Sequence, residues 1–152
     1  MKAAAALAPV VAPISRILVA TDFSLQASNA LEWAKSAAQA FHAKLVVLHV
    51  IDIASLAEMG CSMEGGMDPL SLLREQSQKC MAELKTSLPD AEFAIWEASP
   101  RPTIIEAARK LKCQLIVMGT HGRSGLAHLV LGSVAEYVVR HSPVPVLTIR
   151  LH

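Results

Sequence analysis

Residues 118–134 (MGTHGRSGLAHLVLGSV) concentrate the residue types that could hold a ligand. Gly119, Gly122, Gly125 and Gly132 fall in this stretch, four of the seven glycines in a chain of 152 residues. The segment follows an apolar run, Gln114–Val117, and leads into a helical pattern that starts near Ser133. Without a Cβ, glycine lets the backbone adopt φ > 0 and lets a ligand approach the peptide closely. A strand, a glycine-rich loop and a helix opening on Gly132-Ser133 present backbone N–H groups to a phosphate. The helix dipole adds about 0.3–1 kcal/mol in favour of that anion. Turns and one helix cap would need fewer glycines than this. On this reading a side chain at Gly122 or Gly132 intrudes where phosphate meets backbone. Valine at either is expected to abolish binding and leave the fold intact.

The other polar residues suggest binding more than catalysis. A P-loop needs Gly-Lys-Ser/Thr, and the sequence has no Gly-Lys pair. Gly122-Arg-Ser-Gly125 falls short of a nucleophile elbow because Leu126 stands where the last glycine belongs. The six histidines form no His-Glu-x-x-His pattern. Cys61, Cys80 and Cys113 form no Cys-x-x-Cys pair, which fits a reducing compartment better than zinc or disulfides. Asp22 can touch a ligand or orient a phosphate-bound metal, since Ser24 is available to cap the helix that follows. His121 can donate to a phosphate or be a solvated loop residue. Arg123 and His128 supply positive charge to the loop. His49, inside an apolar run, reads as a hydrogen-bonded core residue, and Cys61 with Met59 and Met63 sits in a loop.

These residues need a scaffold, and the chain alternates apolar runs with helical patterns. Strands are expected at Arg16–Thr21, Lys44–Ile51, Ala91–Ala98, Leu115–Met118 and Val144–Ile149. The third alternates with charges, as an edge strand would. Helices are expected at Ser24–His42, Pro69–Ser87, Thr103–Leu111 and Ser133–His141, with Asp52–Gly66 a loop. Ala27, Ala30, Leu31, Ala34, Ala37, Ala38 and Phe41 give the first helix its apolar face. This alternation predicts one α/β domain, a doubly wound five-stranded parallel sheet with helices on both faces. Ligands bind such sheets at the carboxyl ends of the strands, where the winding reverses. If that point lies between strands one and four, Thr21-Asp22-Phe23 faces the glycine loop. Residues 1–14 read as a tail and 15–152 as the domain. A hydrophobic content of 53% with 18% charged residues fits a compact globule. A formal charge of +1 gives no field for nucleic acid or an anionic membrane. No apolar run reaches the ~18 residues of a membrane span. A weak signal-like start leaves a cytoplasmic protein as the expectation.

From Ser15 onward the chain resembles the universal stress protein family. The resemblance rests on Thr21-Asp22-Phe23-Ser24, on Leu115–Gly122, on Ser142–Leu147 and above all on one spacing. Gly119, two residues, Gly122, nine residues, then Gly132 and Ser133 complete the nucleotide signature of the family's ATP-binding members. The resemblance implies a strand order of 3-2-1-4-5 and bound ATP, with magnesium. It implies that Ala20, Thr21 and Asp22 line the adenosine side, with Val50 beside the adenine. Met118 and Gly119 would approach the ribose, and Gly122, Arg123, Gly132, Ser133 and Val134 would hold the phosphates. Gln114 departs from the family's usual Asp, and Ser99–Pro102 lacks its frequent glycine.

The function expected is an ATP-binding regulatory module of stress responses, a nucleotide-sensitive homodimer without evident catalytic machinery. The alternatives are a slow ATPase or self-phosphorylating protein, with Ser133 or Thr120 as acceptor, and an interaction module with an empty crevice. The resemblance implies pairing of two copies through strand 144–150, an apolar edge that would otherwise template aggregation.

Overall fold

A computed structural model describes residues 12–58, 68–121 and 131–151. Strand β1 (Arg16–Thr21) leads to α1 (Leu25–Phe41), β2 (Lys44–Asp52), α2 (Ile53–Glu58) and α3 (Pro69–Ser87). Then follow β3 (Glu92–Ala98), α4 (Pro100–Lys110), β4 (Leu115–Gly119), α5 (Ser133–His141) and β5 (Val146–Ile149). The strands form one parallel five-stranded sheet in the order β3-β2-β1-β4-β5. The alternation expected from the sequence and the strand order implied by the family resemblance are both observed. The edges are β3, as its charges indicated, and β5.

The central strands are apolar on both faces because helices cover both. Ile17 and Val19 of β1 and Val47 of β2 pack with Ala30, Leu31 and Ala34 of α1 and Met81 of α3. Their sequence neighbours Leu18, Val46 and Leu48 turn to the other face, against Ile104 and Ala107 of α4 and Val138 of α5. Ile17, Leu18, Val19, Val47 and Ile116 are fully buried, each worth about 1.5–3 kcal/mol relative to exposure. Gln114 ties the start of β1 to the start of β4. Its side-chain oxygen accepts the N–H groups of Ser15 and Arg16 at 3.0 and 2.9 Å and the Ser15 hydroxyl at 3.1 Å.

Several boundaries differ from the expectation for identifiable reasons. Part of the expected loop after β2 is the short helix α2. Asp52 caps it, accepting from the Ala54 and Ser55 N–H groups and from the Ser55 hydroxyl at 2.6 Å. Helix α4 begins at Pro100 instead of Thr103, since prolines in a first turn remove only N–H groups that have no helical partner. β5 begins at Val146 instead of Val144. The Pro145 carbonyl already accepts the Ile116 N–H at 3.0 Å, but its nitrogen has no hydrogen to give.

Candidate functional site

The winding reverses between β1 and β4, so their carboxyl ends open a crevice that helices cannot fill. A cleft of about 830 Å³ occupies this position, within the usual range for small-molecule sites. Among the described residues it is walled by the tips of β1, β2 and β4, the first turns of α4 and α5, and by α2 and α3. Ala20, Thr21, Asp22, Val50, Met118, Gly119, His121, Gly132, Ser133 and Val134 all line it. Gly122 and Arg123 lie outside the described residues, as do Gly125, Leu126, His128, Cys61, Met59, Met63 and the tail to Val11.

One wall is the turn from β1 into α1. Thr21 Oγ1 accepts the Phe23 N–H at 3.0 Å, and Asp22 Oδ1 accepts the Ser24 N–H at 3.0 Å. Ser24 caps α1, its hydroxyl accepting the Ala27 N–H at 3.2 Å. Asp22 and Ser24 thus share the turn, Asp22 closing it and Ser24 starting the helix. Between them Phe23 takes φ 62°, a left-handed conformation that costs a bulky residue about 1–3 kcal/mol. Its ring lies 4.4 Å from that of His49.

The opposite wall is the start of α5. Gly132 is its N-cap, and among the described residues no side chain caps the helix. The Gly132 N–H donates to the Thr120 carbonyl at 2.7 Å, and its own carbonyl accepts the Glu136 N–H at 2.8 Å. The first-turn N–H groups of Ser133, Val134 and Ala135 therefore begin a helix whose positive end meets the cleft. A Cβ added at Gly132 would lie 2.9 Å from the Thr120 carbonyl oxygen. The glycine requirement here comes from the chain's own backbone, which corrects the expectation that valine at Gly132 spares the fold. Thr120 is 5% exposed, its hydroxyl 3.1 Å from His121 Nδ1, whereas Ser133 is exposed.

The third wall escaped sequence reasoning. Leu73, Gln76, Ser77 and Cys80 of α3 face the cleft, with Lys79 and Glu83. Their i, i+3, i+4, i+7 spacing was the available signal, but it marks an ordinary amphipathic helix equally well. Arg74 clamps this helix to β3 through two bonds to Glu97, 2.6 and 2.8 Å, and the guanidinium holds the Glu97 carboxyl below its ordinary range. Lys79 is accompanied by Asp22, Asp52 and Glu83, so the described lining carries no excess of positive charge. Among the described residues no cluster of three or more His, Cys, Asp or Glu could hold a metal ion. Nor is any described helix long and apolar enough to cross a membrane.

This fold is matched among known proteins. The model of the universal stress protein family covers residues 13–150. The chain belongs to that family. A universal stress protein of Methanocaldococcus jannaschii is 34% identical, over 89% of this chain and 81% of its own length. The solved structure of a second universal stress protein of that archaeon superposes with a TM-score of 0.74 at 30% identity, covering 93% of this chain and 99% of the other. A universal stress protein crystallised in complex with cAMP has a TM-score of 0.59 at 27% identity, covering 91% and 98%.

Proposed function

We propose that this protein is a cytoplasmic ATP-binding regulatory module of stress responses, acting as a homodimer whose state responds to the nucleotide. The observation that carries this reading is the start of α5. A helix of nine residues begins on glycine, with no side-chain cap among the described residues, and opens into a cleft whose other surfaces include Ala20, Val50 and Met118. Uncapped N–H groups recognise an anion, and apolar surface recognises a base. One ligand that carries both is an adenine nucleotide, and a relative with this fold holds cAMP.

In this reading Ala20, Thr21 and Asp22 take the adenosine side, Val50 the adenine, and Met118 and Gly119 the ribose. Ser133 and Val134, with Gly132 setting the helix start, take the phosphates together with His121, Gly122 and Arg123. Magnesium enters on the phosphates, because it is usually held by them and by few protein carboxylates. Asp22, which lines the cleft, is the carboxylate this reading assigns to orienting that ion. ATP is preferred over cAMP because cAMP has a single phosphate and leaves most of the α5 donors unused.

Sensitivity of the dimer to nucleotide follows from how α5 is anchored. Gly132 donates to Thr120, and the Thr120 N–H donates to the last carbonyl of β5, at Ile149, at 2.9 Å. A shift of the helix start is thus passed to the edge strand through one residue. Equilibrium dialysis against ATP, cAMP and adenosine tests the binding. ATP held most tightly supports the reading, and no retention of any of the three at millimolar concentration refutes it. Phosphate release assayed with magnesium then separates a regulator from a slow ATPase.

A further inference from the structure

His49 is buried in the sheet, 6% exposed, and yet lines the cleft. It sits on the face of β2 that carries Val47, the face covered by α1 and α3. Its Nδ1 lies 2.8 Å from the carbonyl oxygen of Thr21, and its Nε2 lies 3.1 Å from the hydroxyl of Ser77. A carbonyl can only accept, so Nδ1 carries a proton. In the neutral ring Nε2 then receives the Ser77 hydrogen. Ser77 lies within α3 and is 5% exposed. A serine in a helix interior commonly bonds back to a carbonyl of the preceding turn, but here it reaches across to the sheet.

We infer that His49 is a positioning residue of the nucleotide cleft. Through the Thr21 carbonyl and the Phe23 ring, it holds the turn that aims Thr21 and Asp22 at the adenosine. The turn needs such a hold because Phe23 sits at φ 62°, a conformation that local bonds alone do not favour for an aromatic residue. The internal bonds of the turn, from Phe23 N–H to Thr21 and from Ser24 N–H to Asp22, fix its shape. The β1–β2 ladder reaches Thr21, opposite His49, and its register ends there. The imidazole adds a hold on the turn at the Thr21 carbonyl and against the Phe23 ring, and Ser77 fixes the imidazole. The inference rests on the nucleotide reading above and concerns its adenosine side only.

The two ring nitrogens can be tested separately. His49→Asn puts an amide N–H where Nδ1 stood, His49→Gln puts an amide where Nε2 stood, and His49→Phe keeps a ring against Phe23 and removes both bonds. Binding of adenosine, ATP and inorganic tripolyphosphate is measured by calorimetry, and folding by thermal unfolding. His49→Asn should bind adenosine and ATP within about threefold of the native protein, whereas His49→Gln and His49→Phe lose about tenfold, the loss of one aligned hydrogen bond. Tripolyphosphate binding should not change in any of the three. Should His49→Phe fail to fold, the Asn and Gln pair still decides. Equal adenosine affinity in Asn and Gln, or parallel losses of adenosine and tripolyphosphate, would overturn the inference. A native protein that binds neither adenosine nor ATP would instead overturn the nucleotide reading itself, and this inference with it.

Discussion

Gly132→Ala separates a glycine kept for a ligand from one kept for the fold. The added Cβ would meet the Thr120 oxygen at 2.9 Å, against 3.4 Å or more for ordinary contact. The two must part by about 0.5 Å in an interior that has little slack. The obstacle is backbone, and the same carbonyl accepts the Gly132 N–H at 2.7 Å, so retreat stretches that bond toward the limit of about 3.2 Å. Overpacking of this kind costs about 1–3 kcal/mol, and alanine is also a poorer N-cap than glycine. For a domain of this size each kcal/mol lowers the midpoint by about 2–4 °C. Thermal unfolding followed by far-UV circular dichroism should therefore show a drop of about 2–10 °C without nucleotide. ATP should raise the midpoint of the variant less than that of the native protein, because Ser133 and Val134 move with the helix start. A midpoint within about 1 °C of native would refute the packing argument, given the overlap expected here. Gly119→Ala is the milder control, its Cβ meeting Gln26 Cβ at 3.1 Å.

Arg123→Ala should weaken ATP by about 1.5–3 kcal/mol and leave adenosine unchanged, the signature of a charge-assisted bond to phosphate; calorimetry with both ligands checks it. Arg16 bonds Glu92 through two nitrogens, at 3.0 and 2.5 Å, and holds its carboxyl below the ordinary range. A depressed folded value means stability that is present above the unfolded pKa of about 4.3 and lost as pH falls through the folded value, so Glu92→Gln should flatten the acid limb of a stability-versus-pH curve. If the chain pairs as proposed, Thr148→Pro should shift the proposed homodimer toward monomer in sedimentation, and a native protein already monomeric at tens of micromolar would refute the pairing. The Pro145 and Ile149 carbonyls point at β4, so by alternation Thr148 presents its N–H to the outer edge, where proline removes a pairing donor without breaking the β4 ladder.

The fold was legible because its signals are local. Ala27, Ala30, Leu31, Ala34 and Ala38 are the buried face of α1; with the half-buried Ala37 and the exposed Phe41 they gave the period that marked the helix, as the Ser24 hydroxyl marked its start. The β2 run from Leu45 to Leu48 is buried on both sides, which is why it reads as continuous instead of alternating. Helix α2 was not legible, since six residues carry too little periodicity to separate a helix from a loop. Its cap at Asp52 is visible only once the chain is folded. The α3 wall was hidden for a different reason. Ser77 and Cys80 occupy positions where a small residue reads as an ordinary helix face, and what makes them a wall is the nearness of β1 and β2.

His49 and Gly132 show where spacing stops being informative. His49 reads as a buried histidine and is one, but Thr21 and Ser77, which its ring nitrogens meet, lie 28 residues away on either side. No motif joins positions that far apart, so its hold on the turn follows only from the register that sets Thr21 opposite His49. Gly132 is the converse case. Its place in the signature points to a phosphate, yet the atom that excludes a side chain is the Thr120 oxygen of the same chain. The two roles are joined by geometry. A helix start packed that closely on the Thr120 carbonyl leaves no room for a serine or aspartate at the N-cap position itself, and no described side chain caps the helix, so its first-turn N–H groups face the cleft. In the proposed reading the glycine serves an anion indirectly, by fixing where the first-turn donors stand, and this is why a single substitution there should reach stability and binding together.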